Sequence, residues 1–161
     1  MTTTPPTTAL TGPQRRVAAP LVYGHSPQAI AAQLQLSVDG VASQLRLVRK
    51  KMDRPGCSRP VLVHALLTAR AVDPPACARP APNFTELELT LLRALAEHSL
   101  NSHIGNAIEV RASDVRAEVG ALVAKGGADN AHHLVGLAHT WGILGGGAPA
   151  PSEAAAGEAG R

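Results

Sequence analysis

The apolar positions of this 161-residue chain repeat, without a gap, at an interval of 74 residues. Sliding the chain by that interval sets Leu10-Thr11 on Phe84-Thr85, Val17 on Leu91 and Leu21 on Leu95. Ile30 then meets Ile104, Leu34 meets Ile108, Leu36 meets Val110, Val41 meets Val115 and Leu45 meets Val119. Farther on, Val48 falls on Leu122, Lys51 on Lys125 and Val61 on Val135. Identity is low, but residue type matches along the whole block, the mark of one folding unit used twice. The expected units are residues 10–71 and 84–144, joined by the Pro-rich linker VDPPACARPAPN at 72–83. A flexible tail follows at 145–161. Linker, tail and the opening MTTTPPTT offer too little large apolar surface to build a core, so all three are expected to be loosely held.

Each unit reads as four helices. Thr11 and Gln14 have capping-box spacing with Pro13 in the first turn, and Thr85 with Glu88 repeats the box. Ser26 with Pro27 opens a second helix over about 27–35, whose apolar face is Ile30, Ala31 and Leu34. Ser37 caps a third, with Val41, Leu45, Val48 and Met52 at helical spacing, and VLVHALLTARA supplies a fourth over about 60–71. The second unit offers SHIGNAI, SDVRAEVGALVAK and NAHHLVGLAHTWG in the same order. Only 2% of residues are aromatic, so a core must come from Leu, Val, Ile and Ala, which suits packed helices better than stacked sheets. The fold expected is all-α: two tandem four-helix helix-turn-helix units joined by a Pro-rich linker.

Charge separates the two units. Residues 1–80 hold ten Lys/Arg against three Asp/Glu, whereas residues 81–161 hold five against nine. A polyanion therefore suits the first unit and not the second. A short helix, a turn and a longer helix form the layout in which the second helix enters the DNA major groove. The outward residues of the third helix are Asp39, Gly40, Ala42, Ser43, Gln44, Arg46, Arg49 and Lys50. Ser43 and Gln44 lie nearest the helix N-terminus and are the candidates for base edges; Gln suits a bidentate contact with adenine. Arg46, Arg49, Lys50, Lys51, Arg54 and Arg59 are the candidates for phosphates, which carry affinity without sequence information. The competing readings are a basic solvated face with no nucleic-acid partner, or a protein-docking surface.

The stretch GHSPQAIAAQLQLSVDGVASQLRLVRKKM, followed by CSRPVLVHAL, resembles the DNA-binding domain of the LuxR/FixJ family of bacterial transcription regulators. LTGPQRRVAAPLVYG resembles that family's opening helix, and FTELELTLLRALAEHS begins a second, more diverged resemblance. The resemblance implies a four-helix bundle whose third helix reads DNA, whose fourth often dimerises, and which holds no cofactor. It implies a transcription regulator, activator or repressor. By position, Val41, Lys51 and Arg59 fit the family, while Ala42 stands where it usually has Lys and Gln44 where it has His. In the second unit Arg111 takes the capping-Ser place, Asp114-Val115-Arg116 the Thr-Val-Lys run, and Glu118 the His. His133 takes the place of Arg59. Arg116 is thus a further base-contact candidate and Arg111 a further phosphate-contact candidate. The second unit is expected to be an auxiliary DNA contact, or a packing and dimerisation module joining a homodimer or protein partner. The family's usual sensing domain is not expected ahead of the first helix, where eight or nine residues precede it.

Other chemistries find little support. Seven His and two Cys, Cys57 and Cys77, show no metal-ligand spacing and no disulfide framework. Neither a nucleophile–base motif nor a phosphate loop is present, so no enzyme activity, catalytic residue, metal or cofactor is expected. There is no run of 18 apolar residues and no signal-peptide pattern, so the expected setting is cytoplasmic, away from membranes. The lead expectation is sequence-specific double-stranded DNA binding. The alternative is a protein–protein interaction or dimerisation module that keeps the fold without DNA.

Overall fold

The computed structural model describes residues 10–144; the expectations for the opening MTTTPPTT and for the tail lie outside them. Among the described residues there are eight helices and no strand, as the all-α expectation requires. They are α1 (Gly12–Leu21), α2 (Pro27–Leu34), α3 (Val38–Lys51) and α4 (Arg59–Thr68), then α5 (Glu86–Glu97), α6 (Asn101–Ile108), α7 (Ala112–Gly126) and α8 (Ala131–Thr140).

Local chemistry starts most of them. In α1 the Thr11 hydroxyl accepts from Gln14 N at 3.3 Å while Gln14 Oε1 accepts from Thr11 N at 3.0 Å. Thr85 and Glu88 close the same box on α5 at 3.1 and 2.8 Å. Ser26, Ser37, Ser58 and Asn130 cap α2, α3, α4 and α8 through their side chains. By contrast α6 and α7 begin at Leu100 and Arg111, with no side-chain cap, because the serines of α2 and α3 are replaced there.

Left-handed residues recur at the 74-residue interval. Gln35 and Glu109 each leave α2 and α6 in the left-handed region at φ 60°, and Asp53 (φ 61°) and Gly127 (φ 68°) do so after α3 and α7. The 74-residue interval therefore spans three helices. It fails at the fourth: the caps Ser58 and Asn130, and the left-handed Arg70 and Gly142, are 72 residues apart. The loop before α8 is two residues shorter than the loop before α4. Hence buried Leu62, Val63 and Leu66 correspond to buried Leu134, Val135 and Ala138, and Val61 does not pair with Val135. Ala131, not His133, takes the Arg59 position.

The two sets of four helices share one core. Leu62, Leu66, Leu92, Leu134 and Val135 lie in a single buried cluster with Val17, Leu21, Val41 and Val48, and α4 against α8 is the most extensive helix pairing. The linker is also not loosely held. Val72 and Pro75 are buried, the Thr140 hydroxyl donates to Pro75 O, and Trp141 Nε1 donates to Arg79 O at 3.1 Å. Packing of α4 on α8, rather than linker length, sets the relation between α3 and α7.

Candidate nucleic-acid interface

The turn between α2 and α3 is tight. Gln35 adopts the left-handed conformation, Leu36 N donates to Ala31 O at 2.9 Å, and Ser37 Oγ accepts from Gly40 N at 2.9 Å. A non-glycine residue tolerates φ near 60° at a modest cost, and here it redirects the chain within three residues. Helix α3 then buries Val41, Leu45 and Val48, with Met52 just beyond its end.

At 100° per residue, burial of that stripe turns Asp39, Ser43, Arg46 and Lys50 to the opposite face, and all four are exposed. Ala42 and Leu47 are exposed on its margins; Leu47, at 45% exposure, has no family or charge signal that would have singled it out. Arg54 and Arg59 are exposed in the loop and at the start of α4. Two predicted contacts sit differently. Gln44 is half-buried on the flank facing α1 and α2, lining a cleft of about 160 Å³ with Pro13, Arg16, Val17, Leu34 and Leu36. Arg49 is half-buried too, and its Nε donates to Cys57 O at 2.9 Å, tying α3 to the loop that leads into α4. Burial pushes the Cys57 thiol up from its ordinary pKa, against the opposing pull of Arg49 and Arg54. Lys51 is half-buried beside the same turn.

Arg49 is thus a structural tie as well as a positive charge. Arg49→Ala should lower stability by about 1 kcal/mol through the lost charged hydrogen bond to a carbonyl, whereas Lys50→Ala should leave it within about 0.5 kcal/mol. Urea denaturation of both variants distinguishes them; equal midpoints would show that the Cys57 contact contributes nothing.

The corresponding face of α7 differs in kind. Ser113, Ala117, Gly120, Ala121 and Ala124 are exposed along it, so the outward stripe is small and uncharged. Arg111 is exposed at the N-cap position and its Nε is 3.1 Å from Asp114 Oδ2. Arg116 is exposed on one margin and Glu118 on the other. Lys125, the counterpart of Lys51, lies 2.6 Å from Glu88 Oε1. Of the two outward faces, that of α3 carries the cations Arg46 and Lys50, and that of α7 carries none at the corresponding positions.

The fold also joins histidines that the sequence keeps far apart. His64 Nδ1 in α4 and His139 Nε2 in α8 are 2.9 Å apart. Their spacing of 75 residues carries no motif, and only the α4–α8 packing brings them together. Among the described residues, no group of three or more His, Cys, Asp or Glu is placed to hold a metal, and no helix is long and apolar enough to cross a membrane. No protein-family profile, curated protein or solved structure matches this chain.

Proposed function

We propose that this chain is a double-stranded DNA-binding transcription regulator of the LuxR/FixJ kind, acting in the cytoplasm, with α3 as its reading helix. The observation that carries this reading is the exposed stripe Asp39, Ser43, Arg46 and Lys50, continued by Arg54 and Arg59, on the second helix of a tight helix-turn-helix. Ser43, on the outermost line and near the N-terminal half, meets base edges; Arg46, Lys50, Arg54 and Arg59 meet phosphates. Gln44 approaches bases from the flank, beside Leu36. Three cations in the last turn of α3 also complement its helix dipole, a stabilising role that any basic helix end has. That role does not call for Arg46, Arg54 and Arg59 as well.

The last four helices serve as a brace rather than a second reader. The α4 surface that the family resemblance assigns to dimerisation is covered by α8 of the same chain. The site read is therefore a single half-site, not two half-sites about 34 Å apart. Titrating labelled genomic fragments at 50 and 200 mM salt tests this. Neutralising about four phosphates gives a log–log salt slope near −3.6, or roughly a 100-fold loss across that range, with one class of fragment preferred. Absence of binding at 50 mM salt would reject it and leave a protein partner as the occupant of the same face.

A further inference from the structure

The polar contacts between the first four helices and the last four rest largely on imidazoles and backbone carbonyls. His64 and His139 face each other at 2.9 Å with ring centroids 5.0 Å apart. His132, only 4% exposed in the first turn of α8, places Nε2 3.2 Å from His25 O in the α1–α2 turn. Beside it, Asn130 Nδ2 donates to Gly24 O at 2.7 Å, and the His133 side chain packs so closely on Gly24 that a Cβ there would lie 2.9 Å from His133 Cβ. We propose that this seam is a proton-sensitive joint, which mild acid opens while the packing among α1, α2 and α3 and among α5, α6 and α7 is kept.

Geometry sets the sign. Two imidazole nitrogens at 2.9 Å share one proton, and protonating both rings sets N–H against N–H. Burial is the main force holding His139 and His132 down to about 4, and it lowers His64 and His133 as well. The groups facing them are mixed. His64 sees Glu97, which favours its charge, and Arg54, which opposes it; His139 sees His64, which opposes it. His132 sees the carbonyls of His25 and Gly24, which favour charge, against Arg59 and His133; His133 sees Asp129 against Arg79 and His25. Each depressed group contributes docking free energy that is complete above its free pKa of about 6.5 and is lost as pH falls toward the docked value. At pH 5, a group with docked pKa about 4 shifts the equilibrium about 30-fold toward the open form. Internal packing of α1, α2 and α3, and of α5, α6 and α7, involves none of these pairs.

Small-angle scattering and far-ultraviolet circular dichroism on the full chain, from pH 7.5 to 4.5, test the joint. The radius of gyration should rise between pH 6.5 and 4.5 while helicity stays constant. The opening constant should grow by close to a hundredfold per pH unit, reflecting about two protons taken up. His132→Gln and His139→Gln keep a hydrogen-bonding amide that cannot titrate, so each should reduce opening at pH 5 about 30-fold. An unchanged radius down to pH 4.5, simultaneous loss of helicity, or variants that open at the wild-type pH would overturn the proposal. Should a glutamine variant be unfolded at pH 7.5, the wild-type proton count decides, and an opening without proton uptake overturns it.

Discussion

Gly136→Ala is expected to destabilise the protein by about 2 kcal/mol, although alanine is the better helix former by about 1 kcal/mol. Gly136 is buried in the middle of α8, and a Cβ there would lie 2.6 Å from Val22 O and 3.2 Å from Pro75 Cγ. The obstacle at Val22 is main chain, which cannot swing away as a side-chain end can. The α1–α2 turn and the linker therefore pack on α8 only because that position has no side chain. Gly120→Ala is the matched control: Gly120 is exposed in α7 with nothing within 4 Å of its would-be Cβ. Freed of any clash, that change should stabilise by up to about 1 kcal/mol. For a chain of this size, melting temperatures should fall by about 4–8 °C in the first variant and rise by about 2–4 °C in the second. Equal stabilisation by both alanines would mean that α8 does not meet the first four helices as described.

Those contacts mark where the sequence stops being legible. Helix starts were readable because capping is a local matter: Thr11 with Gln14, Thr85 with Glu88, and the serines at 26 and 37 each act within three residues. Helix α3 is readable because Val41, Leu45 and Val48 recur at helical spacing with Ser43, Gln44 and Arg46 between them, which fixes the phase. The fourth helices lack that contrast. In VLVHALL and HLVGLAH apolar residues stand next to one another, so no polar spacing fixes the phase, and the match of Val61 to Val135 hides a slip of two residues. The linker misled for another reason: its prolines read as a spacer, while the partners that bury Pro75 lie on α8, at Gly136 and Thr140. The polarity of Gln44 points it outward in the sequence. Its angle on the helix, about 60° from Val41 on the side of α1, puts it on the flank instead.

That distinction changes which substitutions should matter for DNA. Arg46→Ala combined with Lys50→Ala removes two cations from the outermost line of α3 without touching the Arg49–Cys57 tie. If each supplies about 1 kcal/mol through a charged contact to phosphate, the double variant should bind every sequence about 30-fold more weakly. Its log–log salt slope should be shallower by about 1.8, since two fewer counterions are released. Ser43→Ala should leave the slope unchanged and alter only the ranking of sequences, because a base-edge contact releases no counterion. Arg116→Ala in α7 should change affinity less than about twofold, since the face beside it carries no further cation and Arg111 is already paired with Asp114. Loss of affinity at Arg116 equal to that at Arg46 and Lys50 would place α7, not α3, against the DNA. A double variant that binds as the wild type does would remove α3 from the interface altogether.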